Sequence, residues 1–172
     1  MAYYPFEEGT GTTTVDATGN GHDGTFNGAI EWVPGQKGMG VRLDTAGERI
    51  RIGTINPSGA NNAMTLAAWI KWEGSGHATI THQGVFGKRG GWTAPGDNVK
   101  WFWEAQPDDD LSFRTYSAAV TATDALINHK NEWTHVALTW ENGTTIHYIN
   151  GVQIHRGSIA FNDTSNDVIV SV

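Results

Sequence analysis

At 172 residues the chain is long enough to bury a core as one domain without covalent staples. Its formal charge is −7 and its 11 Lys and Arg are scattered, which argues against nucleic acid and against an anionic lipid surface. The absence of cysteine excludes a disulfide framework, a thiol nucleophile and a thiolate metal site, and no stretch reads as a membrane span or a signal-peptide core.

Twenty-two glycines, many Thr and Val, and no long run at helical spacing predict an all-β protein. Residues 2–6 read as a short strand closed by the acidic turn Glu7-Glu8-Gly9. A loop rich in Gly, Asn and Asp follows, anchored by Val15, with a short strand within 24–32. After the turn Val33-Pro34-Gly35, residues 39–44 and 49–52 alternate as strands, and 56–62 form a loop. Residues 64–72 are apolar at nearly every position, as in a central strand covered on both faces. A connection over 74–82 precedes a short strand at 84–88 and a Gly/Pro-rich loop at 89–98 that carries Trp92. Residues 99–105 and 111–116 pair around Pro107-Asp108-Asp109-Asp110, and 118–132 lead onward. A polar loop at 161–167 and a last apolar strand at 168–172 close the chain.

The stretch from Trp133 to His155 organises the rest. Two Asn-Gly pairs, Asn142-Gly143 and Asn150-Gly151, separate three alternating runs, and type I′ turns need positive φ at both central residues. The spacing predicts a meander of strands at 133–141, 144–149 and 152–157. Two-residue turns place Leu138 opposite His147, His147 opposite Ile154, Val136 opposite Ile149, and Ile149 opposite Val152. One face then carries Val136, Leu138, Trp140, His147, Ile149, Val152 and Ile154 as core. The other carries Trp133, His135, Ala137, Thr139, Ile146, Tyr148, Gln153 and His155.

Five segments in order resemble the concanavalin A-like, laminin G-like jelly-roll family. They are the opening YYPFEEGTGTTTVDATGNGHDGTF, Gly38–Asp44, Thr65–Trp72, Trp133–Ala137 and the hairpin Tyr148–Gly151. The resemblance implies an all-β, two-sheet antiparallel β-sandwich used mostly as a binding module in secreted or cell-surface proteins. It also suggests a single domain over 1–172 excised from a larger protein. The family's usual final strand, of the form F-x-G-x-I-D-E-V, has no counterpart before Val172. The expected molecule is therefore a monomer lacking that strand, with an exposed edge that could pair with another chain.

Asp16-x-Thr18-x-Asn20-Gly21 imitates the first half of an EF-hand loop, but the twelfth position is Asn27, so it is none. Two readings stand: an Asx-turn loop, or a structural Ca²⁺ site of the kind the resemblance implies, held by Asp16, Asn20 and Asp44. Trp92, Trp101 and Trp103 lie close together beside Asp108-Asp109-Asp110. Aromatic faces with carboxylates suit a sugar; Trp101 and Trp103 share one strand face and read as core, whereas Trp92 reads as a surface loop residue. The aspartates read as a solvated turn. The candidate ligand-binding residues are thus Trp92, Asp108, His135, Tyr148 and His155, with His147 a hydrogen-bonded core histidine. No zinc spacing, alternating acid run or G-x-S-x-G elbow supports metal hydrolysis or catalysis. The expected function is lectin-like binding of a glycan or glycoprotein, with a protein-interaction or adhesion module as the alternative and a glycan-cleaving enzyme third.

Overall fold

A computed structural model describes residues 1–74, 82–89, 99–161, 163 and 170–171. Most of the connection at 74–82, the Trp92 loop and most of the loop at 161–167 lie outside the described residues. Fourteen strands and one 3-10 turn make up the described secondary structure. They are β1 (Thr13–Thr14), β2 (Gly24–Asn27), β3 (Glu31–Pro34), β4 (Met39–Arg42), β5 (Arg49–Arg51), β6 (Ala63–Lys71) and β7 (Gln83–Arg89). The chain continues with β8 (Val99–Ala105), β9 (Leu111–Arg114), β10 (Ala119–Ala122), β11 (Trp133–Glu141), β12 (Thr144–Ile149), β13 (Val152–Ser158) and β14 (Val170–Ser171). An eight-stranded sheet runs β1-β2-β5-β14-β7-β8-β9-β10, a four-stranded sheet runs β13-β12-β11-β6, and β3 and β4 form a separate hairpin. All strand pairs are antiparallel.

The two sheets bury one core between them. Trp101, Trp103, Leu111 and Phe113 come from the large sheet, and Val136, Leu138, Trp140 and Ile149 from the small one. Trp101 and Trp103 are fully buried, as their shared strand face predicts. Burial of such side chains drives the folding of a two-layer sandwich.

The meander forms as its turns dictate: Asn142 and Gly143 have φ of 48° and 90°, Asn150 and Gly151 of 50° and 80°. Leu138 faces His147, Val136 faces Ile149, and Ile149 faces Val152. The expected pairing of His147 with Ile154 is wrong. A bulge between His147 and Tyr148 puts His147 opposite His155, and their rings lie 6.3 Å apart. His155 therefore leaves the outer face, while Val152 and Ile154 become exposed instead of joining the core. Further along, β13 comes close to the partner layer, where a Cβ on Gly157 would sit 2.6 Å from Val120 Cγ1.

Two further expectations change. Residues 2–6 form no strand; the segment is tied down by Tyr3, whose amide donates to Asp16 Oδ1 at 3.0 Å. β6 is not a central strand covered on both faces but an edge, with Met64 and Leu66 inward and Thr65, Ala67, Trp69 and Lys71 outward. Among the described residues, no strand pairs with the side of β6 away from β11. Of the last expected strand, the described residues Val170–Ser171 lie between β5 and β7.

Candidate functional site

The outer face of the four-stranded sheet is built by parity. Trp69 lies directly opposite His135, and Ala137 lies between Ala67 and Tyr148. The small alanines leave room for the larger rings beside them. Trp69 is 48% exposed, and its indole meets the His135 imidazole edge-on with centroids 5.3 Å apart. Tyr148, diagonal to His135, is half-buried, and diagonal neighbours remain within reach of aromatic side chains. Gln153 stands opposite Tyr148 and Arg156 opposite Ile146, adding polar groups at the β13 side.

The β3–β4 hairpin walls one end of this face. A Cβ on Gly40 would lie 3.7 Å from the Trp133 ring, and Arg42 reaches Glu73 at 2.9 Å. Around the β6 edge lies a groove of about 2350 Å³, lined on one side by this face and on the other by inward residues such as Met64, Leu66 and Trp101, and reaching the hairpin and the N-terminal segment.

Of the five candidate ligand residues, the structure brings together His135 and Tyr148. His155 is on the opposite side of the sheet, beside His147. Asp108 is exposed in the β8–β9 turn, away from this groove. Trp92 lies outside the described residues. Sequence reasoning missed Trp69, because an Ala-Ala-Trp-Ile run looks buried on both sides. The signal was its parity: Thr65 and Lys71 stand two-residue steps away on the same face.

The aspartates of the β8–β9 turn do not act alike. Asp109 is buried at positive φ, accepts the Trp72 indole N–H at 2.9 Å and pairs with Lys130 at 2.7 Å. Burial pushes its pKa up, but hydrogen bonds from Lys130 and Trp72 and the Lys130 charge outweigh this and hold it below the usual range. The reading of the triplet as a solvated turn fits Asp108 and fails for Asp109.

The Asp16 loop is an Asx-turn scaffold. Oδ1 accepts from the Tyr3 amide (3.0 Å), the Thr18 amide (3.0 Å) and the Thr18 hydroxyl (2.7 Å), and Oδ2 from the His22 amide at 3.4 Å. Burial pushes the Asp16 pKa up, but these hydrogen bonds prevail and lower it to about 2. Asn20 donates through Nδ2 to the Met1 carbonyl at 2.9 Å, and the Asp44 carboxylate pairs with Arg42 at 3.3 Å. This donor set does not fit calcium. Asp16 is filled by N–H and O–H donors, Asp44 has a cation, and no three His, Asp or Glu converge among the described residues.

Two further polar groups, Glu104 and His147, are buried in the sandwich. Glu104 is 1% exposed and is held by His82 (3.2 Å), Arg114 (3.2 Å) and Gln106 (3.0 Å), so both oxygens are occupied. His147 is fully buried with Nε2 against the Val120 carbonyl at 3.2 Å, the core histidine that was expected. Burial above all, helped by the His155 charge and opposed by the Val120 hydrogen bond, lowers its pKa to about 4.

The family model described as the concanavalin A-like lectin/glucanases superfamily matches residues 44–170, and the chain belongs to that family. Its fold is similar to domain 4 of AbnA, a GH43 extracellular arabinanase from Geobacillus stearothermophilus, solved in complex with arabinotriose. There the TM-score is 0.71 at 22% identity, covering 99% of this chain and 81% of the other. An S-layer domain-containing protein from Clostridium thermocellum is also similar, with TM-score 0.54, 25% identity, and coverage of 91% and 71%. No curated protein matches the chain. The superfamily's own description spans lectins and glucanases, and among the described residues no helix is long and apolar enough to cross a membrane.

Proposed function

We propose that the chain is a non-catalytic, lectin-like module that binds a carbohydrate or glycoconjugate on the outer face of its four-stranded sheet, in an extracellular or cell-surface protein. The observation that carries this reading is Trp69: a half-exposed indole braced edge-on by His135, with Tyr148 beside them. Exposed aromatic rings cover apolar C–H patches of sugars, while neighbouring polar groups bind hydroxyls. The extracellular and S-layer proteins of similar fold support the location.

Arabinotriose and a glycan array are the first probes. Binding by the native chain that falls at least tenfold in Trp69→Ala, with unchanged melting, is expected. Native chain that binds no glycan, or a Trp69→Ala variant that binds as well, overturns the reading.

The β6 edge favours a second one, strand-mediated protein interaction, because among the described residues no strand pairs with the side of this nine-residue strand away from β11. Light scattering that shows a concentration-dependent dimer, abolished by Ala67→Pro, would support it; a monomer at all concentrations would remove pairing between copies.

A further inference from the structure

Lys88 occupies an inward position on β7, directly opposite Trp101, and is completely buried. Its Nζ lies 2.7 Å from Asp163 Oδ1 and hydrogen-bonds to the Asn56 side-chain oxygen. Asp163 is 4% exposed and is oriented by three other donors. Ser58 gives its amide (3.3 Å) and hydroxyl (2.9 Å) to Oδ2, and the Trp101 indole reaches Oδ1 at 3.3 Å. Around them stand the rings of Trp101, Phe113 and Phe161, with neighbouring centroids 6.2 and 5.7 Å apart. A buried ion pair is a poor way to stabilise a core, because desolvation offsets the attraction. An amine that touches both a carboxamide and a carboxylate, shielded by aromatic rings, instead makes up a reactive set.

We propose that Lys88 and Asn56 join in an autocatalytic isopeptide bond, with Asp163 carrying the protons. The Lys88 ammonium passes one proton to Asp163, turning two buried charges into neutral groups. The freed lone pair on Nζ attacks Asn56 Cγ, one bond beyond the oxygen it already touches, and the carbonyl pair moves onto Oδ1. A second proton moves from Nζ to Nδ2 by way of the Asp163 carboxyl. The carbonyl re-forms, and the Cγ–Nδ2 bond breaks with its electron pair on nitrogen. Ammonia leaves and takes the remaining proton from Asp163, so the net change is lysine ammonium plus carboxamide to secondary amide plus ammonium. No oxidant or cofactor enters. Asn56 is only half-buried, which gives ammonia a way out. The bond ties the loop before β6 to β7, across 32 positions of sequence.

Intact-mass spectrometry of the purified chain tests this. The expected mass is below the sequence mass by one ammonia, and a digest should contain a branched peptide linking Lys88 to Asn56. Asn56→Ala keeps the Lys88–Asp163 pair and should fold, as checked by circular dichroism, yet show its full sequence mass. Asn-Gly pairs such as Asn142-Gly143 can also lose ammonia by succinimide closure, so the branched peptide decides. A native chain at full sequence mass overturns the proposal, as does ammonia loss without that branch or loss that persists in Asn56→Ala.

Discussion

On β12, Thr145, His147 and Ile149 are buried against the large sheet. Thr144, Ile146 and Tyr148, one residue out of step, are half-buried and line the groove. β11 repeats the contrast, with Val136, Leu138 and Trp140 inside and His135, Ala137 and Thr139 outside. The two faces share every backbone hydrogen bond and differ only in what their side chains meet. The inner face is thus constrained by volume and dryness, and the outer face by what it presents to solvent. A sandwich built this way can change what its outer face presents without changing its fold.

The contrast can be broken at one residue step. Leu138→Ala opens a cavity in the inner face and should cost about 3 kcal/mol in denaturant unfolding. Its neighbour Thr139→Ala should stay within about 0.5 kcal/mol; equal costs would erase the distinction.

His147 sharpens the contrast through pH. Its folded pKa, about 4, lies below its ordinary value of 6.5, so the unfolded chain takes up its proton first as pH falls. The stability it gives is full above pH 6.5 and should decline by about 3 kcal/mol between pH 6.5 and 4. Urea titrations at several pH values should show that slope in the native chain and less of it in His147→Gln.

Trp69→Ala belongs to the outer face, so its effect should fall on ligand binding and cost less than about 1 kcal/mol of stability. The smallest effect concerns calcium: chelator should leave the melting midpoint where it was, since Asp16, Asn20 and Asp44 already have protein partners. A rise in midpoint with added calcium would restore the metal reading of that loop.

These elements also show how far the sequence carries. The Asn-Gly turns are local chemistry, so both hairpins and the β11–β12 register were legible from spacing alone. The bulge in β13 was not, because Gln153-Ile154-His155 carries no glycine or turn pair to mark it, and it moved His155 off the face where parity placed it. Trp69 was hidden for a related reason: an apolar run signals burial, and only the surrounding sheet order shows that β6 is an edge. Asp109 and Lys88 were hidden more deeply. Each is a charge in the interior, and composition gives no hint of which charge will find its partner far along the chain.

The position of β14 bears on the order in which the molecule assembles. The meander can form from residues close in sequence, as soon as two tight turns close. The large sheet cannot be finished that way, because β14 at Val170–Ser171 joins β5 at Arg51 to β7 at Gly87 and Lys88. Until those last residues have emerged from the ribosome, β5 and β7 wait with open edges near the middle of the sheet. Folding of this chain should therefore run late, with the small sheet formed early and the large sheet sealed at the end.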